Sequence, residues 1–170
     1  MKWQLLEDLR SETQAGVMEM ALEHRLGADE YLWFQGDSAS TVHFIESGRA
    51  AIEVASSDGF VSILTVLGPG EVVGEQSLVD KGRRRSASVR ALEELRTFSI
   101  TSRQFEELRN DHPSVDRLLV RVLASRVDRL STQVLEAAYD GVEARVNRRL
   151  RVLTEAYRRP EQNGSVTIEI

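Results

Sequence analysis

Residues 49–66 read RAAIEVASSDGFVSILTV. Two runs rich in apolar and β-branched residues flank an Asp58-Gly59 pair. This pattern predicts a β-hairpin, because glycine supplies the positive φ that a tight turn needs. The same texture continues on both sides. From Tyr31 to Ile100 the segments YLWF, TVHFIESG, EVVG, SASVRAL and LRTFSI are short, and most are β-branched or aromatic. Gly36-Asp37, Gly48, Gly68-Pro69-Gly70 and Lys81-Gly82 punctuate them. Strands at roughly ten-residue spacing with glycine turns predict a sandwich or jelly roll, not alternating βα units.

Helical patterns flank this region. Residues 3–25 carry Leu5, Leu6, Leu9, Val17 and Leu22 among polar residues, which predicts one or two short helices. Thr101 or Ser102 can cap a helix with Phe105 and Leu108 on its apolar side. Pro113 resets the chain, and residues 114–158 form the longest helical candidate. Leu119, Leu123, Val127, Leu130, Val134, Ala138 and Gly141 recur there by threes and fours. Such a stripe either pairs with a second copy or packs on the β domain. Self-pairing is favoured, since a small domain cannot cover a helix of about 45 residues. Ala137, Ala138 and Gly141 permit close approach, and Gly141 also offers a point of interruption. Residues 158–164 read as a loop. The closing VTIEI reads as a lone strand with nothing obvious to pair with, which suggests that the polypeptide's natural architecture continues further.

The 170 residues suffice for one well-packed domain plus an appendage. A net charge of -5 weighs against a free-standing nucleic-acid binder but allows a local basic site. With no cysteine, disulfides and thiolate chemistry are excluded. His24, His43 and His112 are scattered without metal-ligand spacing. Acidic residues stand where a secretory peptide would have its apolar run, and no apolar stretch is long enough to span a bilayer. A cytoplasmic location is the default expectation, with no membrane partner.

Residues 74–90 read GEQSLVDKGRRRSASVR. The three arginines read either as a basic patch or as a pocket with one ligand-binding arginine. A nucleic-acid patch is disfavoured by the lack of interleaved aromatics and by Asp80 beside Lys81. An anion site needs a cation, backbone donors in a turn and often a hydroxyl. Arg85, Ser86 and the N–H groups near Ser86 and Ala87 supply these. Arg85 is expected to enter a strand and face inward, while Arg83 and Arg84 stay solvated. Glu75 would repel a phosphate but accept from a sugar hydroxyl, which points to a ligand bearing both groups. No nucleophile–base pair accompanies the stretch, so binding without catalysis is expected.

GEQSLVDKGRRRSASV resembles the phosphate-binding cassette of cyclic-nucleotide-binding domains. It is most similar to those of the catabolite-activator and fumarate-nitrate-regulator (Crp/Fnr) superfamily of bacterial transcription factors. The turn at Phe34-Gln35-Gly36-Asp37, IESGRAAIEV with Gly48, LGPGEVVGE and the long helix through DGVEARVNRRLRVL extend the resemblance over nearly the whole chain. It implies a double-stranded β-helix or jelly roll, mainly β, flanked by N-terminal helices and a long dimerisation helix. The implied regions are 1–112 for the β-roll with its N-terminal helices, 113–158 for the dimerisation helix, and 159–170 for a linker into a DNA-binding domain. The resemblance further implies that Glu75, beside the backbone of Gly74, accepts from the ribose 2'-hydroxyl. Arg85 and Ser86 hold the cyclic phosphate with help from the backbone of Ala87. Leu64, Thr65 and Ile52 line the pocket, and Arg126 approaches its nucleotide side. Ser131 matches the partner-subunit serine that contacts adenine.

Two departures qualify these expectations. Cyclic-AMP responders of the family place a threonine beside that serine, where this chain has Leu130. Cyclic AMP leads, with cyclic GMP or a weakly selective site as alternatives. Family regulators also continue into a winged helix-turn-helix that reads the major groove. DNA contact, and contact with RNA polymerase, are therefore expected only of a full-length homodimeric regulator. A stand-alone nucleotide-binding module and a member with an empty or different-ligand pocket remain the alternatives.

Overall fold

The structure is a computed structural model. It describes residue 6 and residues 11–78, 82, 84–112, 114–139, 141, 143, 146–147, 150–151, 159–160 and 166–167. The chain divides into two units, residues 1–122 and 123–170.

In the first unit, helix α1 (Ser11–Met20) leads directly into β1 (Leu22–Leu26). Leu22, read above as a helical position, is instead the first residue of a strand and lies exposed. The run LEHRL gave no helix–strand contrast locally; pairing of β1 with β8 over Leu22↔Ser99 to Leu26↔Leu95 decides its conformation. The remaining strands follow the predicted segments: β2 (Tyr31–Trp33), β3 (Thr41–Ser47), β4 (Ala50–Ala55), β5 (Val61–Leu67), β6 (Val72–Val73), β7 (Ser88–Ala91) and β8 (Leu95–Thr101). They form two four-stranded antiparallel sheets, ordered β1-β8-β3-β6 and β2-β7-β4-β5. Consecutive strands alternate between the sheets at several points, which is the jelly-roll arrangement expected of the spacing.

The hairpin at Asp58-Gly59 joins β4 to β5. Its turn is closed by Ser56 N–H to Phe60 O at 2.8 Å and Gly59 N–H to Ser56 O at 3.0 Å. Leu26, Ile45, Ala50, Leu67, Val73, Val89, Ala91 and Leu95 fill a buried cluster drawn from both sheets, with Leu32, Trp33 and Ile52 packed against it. Glu53 is buried on β4, where a carboxylate is costly without partners. It has them: Arg90 approaches at 2.8 Å and the Tyr31 hydroxyl donates at 3.1 Å.

Gly48 links β3 to β4 at φ +79. A Cβ there would run into the Glu94 carbonyl oxygen and lie 2.9 Å from Leu95 Cα. No side chain fits beside that backbone, so glycine is required for closure as well as for conformation.

Thr101 caps α2 (Ser102–Asp111) through a capping box. Its hydroxyl accepts from Gln104 N–H at 3.2 Å, and its own N–H donates to Gln104 Oε1 at 2.8 Å. Phe105 and Leu108 are buried as predicted.

Helix α3 runs Ser114–Tyr139. The expected stripe divides along it. Val115, Leu119 and Val122 are buried within the first unit. In the second unit Val127, Leu130, Val134, Leu135 and Tyr139 are exposed, from 50% at Leu130 to 85% at Tyr139. Gly141 is non-helical, and helical residues recur at Glu143, Val146-Asn147 and Leu150-Arg151. The single predicted helix over 114–158 is therefore interrupted at the glycine, which lacks the helix preference to bridge the gap. The chain's last strand is not alone. β9 (Arg159–Pro160) and β10 (Val166–Thr167) pair antiparallel, Val166 against Pro160 and Thr167 against Arg159. Pairing local in sequence gives the terminal strand its neighbour, and residues 159–160 are strand, not the expected loop.

Candidate functional site

At the end of β6 the backbone turns through Gly74 at φ +82 into a 3-10 turn, Glu75–Leu78. Ser77 stitches this turn in place. Its N–H and hydroxyl donate to Gly74 O at 3.1 and 2.7 Å, and the hydroxyl also reaches Thr41 O at 3.1 Å. The turn carries Glu75 into the interior, where it is fully buried.

Arg85 returns to the same place from the other end of the loop. It was expected to sit on a strand, but it precedes β7. Its backbone bridges the turn at residues 36–37 instead: Arg85 N–H donates to Asp37 O and Gly36 N–H donates to Arg85 O, both at 2.8 Å. Those bonds occupy the groups a strand partner would take. The inward orientation does hold, with Arg85 7% exposed. Nη1 donates to Thr41 O at 2.9 Å and Nη2 to Thr41 Oγ1 at 2.8 Å. The guanidinium lies 3.7 Å from the centroid of the Trp33 ring. Trp33 is itself fixed by donation from Nε1 to Ala87 O at 3.0 Å. Burial lowers the Arg85 pKa, and the charges of Glu75 and Asp37 oppose that shift. An arginine stays protonated throughout, so the site keeps a buried cation beside a buried acid.

Gly74 makes this juxtaposition possible. A Cβ there would lie 2.5 Å from Arg85 Nη1, 2.9 Å from Thr41 O and 3.2 Å from Trp33 Cη2.

A polar pocket of about 360 Å³ opens beside Arg85, lined by His24, Leu32, Trp33, Asp37, Ser38, Ser40, Thr41, His43 and Arg85. His43 bridges Thr41 Oγ1 and Thr97 Oγ1, each at 3.2 Å. Burial above all, then the neighbouring His24 and Arg85, pushes His43 down to about 3. A histidine depressed from 6.5 takes up its proton in the unfolded chain first, so its contribution is complete above pH 6.5 and is lost as pH falls towards 3. Replacing it by glutamine is expected to flatten the acid side of a stability–pH curve over that window, read by urea unfolding. An unchanged acid slope would refute a buried neutral His43.

The other sequence-predicted residues are placed as follows. Thr65 on β5, Ile52 on β4 and Val89 on β7 stand in register across one sheet, with Leu64 next to Thr65. Ser86 is exposed and Ala87 half-buried immediately after Arg85. Arg126, half-buried, and Ser131, exposed, lie on α3 within the second unit. Arg84 is exposed, as expected, and donates to Gly36 O at 2.8 Å. Arg83 lies outside the described residues. Sequence reading missed Trp33 and Thr41, the two residues that hold Arg85. The only available signal was an aromatic and a hydroxyl residue on strands that an inward arginine could reach, and no spacing along the chain encodes that meeting. Among the described residues, no group of three or more His, Cys, Asp or Glu is arranged to hold a metal, and no helix is long and apolar enough to cross a membrane.

A family profile for the cyclic nucleotide-binding domain matches residues 23–112, more than half of the chain. The chain belongs to this family. Its cyclic nucleotide-binding domain is homologous to regulators of the Crp/Fnr type. The cAMP-activated global transcriptional regulator CRP of Haemophilus influenzae is 29% identical over 123 residues, covering 72% of this chain and 55% of that protein. This chain thus spans little more than half the length of such relatives. Among solved structures, the c-di-GMP responsive global regulator CLP of Xanthomonas campestris superposes with a TM-score of 0.78 at 21% identity, over 86% of this chain and 73% of that one. The Thermus thermophilus catabolite activator protein gives 0.71 at 25% identity, over 79% and 63%. The domain's two sheets, N-terminal helix and long C-terminal helix match that shared fold.

Proposed function

We propose that this chain is the effector-sensing and dimerisation region of a Crp/Fnr-type transcription regulator, with cyclic AMP as its leading ligand. The observation that carries the reading is the meeting of Glu75 and Arg85, ten residues apart in sequence, as a buried acid and a buried cation around Gly74. A ligand with a ribose hydroxyl and a phosphate matches both charges. Ser86 and the Ala87 backbone extend the phosphate end, while Leu64 and Thr65 line the pocket and Ile52 contributes to its apolar wall. Arg126 and Ser131 would let ligand favour one helix arrangement over another, which is how binding becomes regulation. The activity of a CRP-named relative, cAMP-activated transcription, supports cyclic AMP over other cyclic nucleotides. Leu130 in place of a hydrogen-bonding residue narrows that preference relative to cyclic GMP. DNA and RNA polymerase would be partners of a longer, cytoplasmic regulator.

Calorimetric titration with cyclic AMP and cyclic GMP tests the reading. Saturable binding of cyclic AMP at or below micromolar concentration is expected, with cyclic GMP weaker. If neither binds at high micromolar concentration, the proposal fails.

Dimerisation is assigned to the uncovered half of the α3 stripe. Val127, Leu130 and Val134 repeat by three and four on an exposed face, the spacing of a helix-pairing seam. Val134→Glu would place like charges across the seam and is expected to weaken the dimer by at least about 100-fold in sedimentation equilibrium. A wild-type monomer, or a dimer indifferent to the substitution, would refute this seam.

A further inference from the structure

We infer that Thr41 and Trp33 set the effector affinity of this site, by holding Arg85 in an intramolecular latch that a phosphate must open. The inference rests on the cyclic-nucleotide reading above and adds two residues to which that reading gives no role.

Arg85 already has hosts. Thr41 offers it two acceptors, its carbonyl and its hydroxyl, at 2.9 and 2.8 Å. Trp33 covers one face of the guanidinium at 3.7 Å. Both hosts are anchored. Thr41 pairs with Thr101 across β3 and β8, and its hydroxyl lies 3.2 Å from His43 Nε2. Trp33 is tethered to the Ala87 carbonyl. The latch is therefore part of the scaffold, not a chance side-chain pose. Gly74, open above Nη1, leaves the space the guanidinium occupies.

The hosts are nonetheless incomplete. Nε of Arg85 is buried without a hydrogen-bond partner. A guanidinium has five N–H donors in a planar fork, and neutral oxygens answer them less strongly than phosphate oxygens do. An incoming cyclic phosphate gains those stronger bonds but must first displace Thr41 and part of the Trp33 contact. Measured affinity is the difference between the two states, so weakening the latch strengthens binding. The two residues act on the ligand through Arg85, and neither needs to touch it.

Calorimetry with cyclic AMP on the full chain tests this. Thr41→Val removes one of the latch's acceptors at nearly constant shape and is expected to tighten binding about five- to tenfold. Thr41→Ser keeps the hydroxyl and should stay within about twofold of wild type. Trp33→Leu, a second route that leaves Thr41 intact, should tighten binding about threefold through loss of the ring–cation contact. Tightening by valine and leucine but not serine supports the latch. Affinity equal to or weaker than wild type in both Thr41→Val and Trp33→Leu overturns it, while leaving the cyclic-nucleotide reading intact. A second readout needs no nucleotide. In a Trp3→Phe background Trp33 is the sole tryptophan. Its emission and iodide quenching in ligand-free protein should change on Thr41→Val, as the guanidinium is released from the ring. Identical spectra overturn the latch. If no variant binds a nucleotide, the cyclic-nucleotide reading fails, and the Trp33 spectra alone then decide whether Arg85 is latched.

Discussion

An Arg85→Leu protein is expected to lose cyclic-nucleotide affinity by about 100-fold or more, the worth of two charge-assisted hydrogen bonds to a phosphate. Arg84→Ala, one residue away, is expected to stay within about threefold, since an exposed cation contributes little beyond screened attraction. The contrast follows from geometry. Arg84 is solvent-exposed and bonds to the Gly36 carbonyl. Arg85 is buried beside Glu75, Thr41 and Trp33. Leucine removes both Thr41 bonds and the cation beside buried Glu75, so the variant is also expected to be less stable. Circular dichroism and a thermal melt therefore set a temperature at which the variant is folded, and binding compared there reports the site and not the fold. Equal losses from the two substitutions would mean that the arginines act as a diffuse patch.

The largest stability effect is expected at Gly48. Gly48→Ala forces a side chain to φ +79 and drives its Cβ into the Glu94–Leu95 backbone. The left-handed conformation costs about 1–2 kcal/mol for an alanine. Backbone cannot swing aside as a side-chain tip can, so a total of about 3 kcal/mol or more is expected, a fall in Tm of roughly 10 °C. Gly59→Ala separates the two contributions. Gly59 has a similar φ of +84 but nothing within 4 Å of the added Cβ. It should show the conformational cost alone. Thermal melts in which both variants lose the same amount would show that the contact at Gly48 relaxes freely.

The sheet architecture was legible because alternation and glycine turns are local signals. The hairpin 49–66 and the helix cap, placed at Thr101 or Ser102, were read correctly for that reason. β1 was not, because LEHRL has no intrinsic pattern and takes its strand form from β8. The break at Gly141 was legible as a possibility, because glycine weakens a helix interior, but the repeat that continues past it left one helix as the reading. At the site, Glu75 and Arg85 were legible as a charged pair worth bringing together. Their actual neighbours were not. Trp33 and Thr41 lie 52 and 44 positions before Arg85 in the chain, and only the closing of the two sheets makes them adjacent.

Helix α3 crosses from covered to uncovered surface near Val122. Its first turns are ordered by tertiary packing, and so it carries its own nucleus. The stretch from Leu123 to Tyr139 must propagate from that nucleus with its apolar residues in water, whereas helices in proteins owe most of their stability to packing of an apolar face. Association would then supply much of what keeps those turns helical, linking secondary structure to mass action. Far-UV helicity of this protein should accordingly rise with its concentration, and the length of ordered helix becomes a measure of how many molecules are paired.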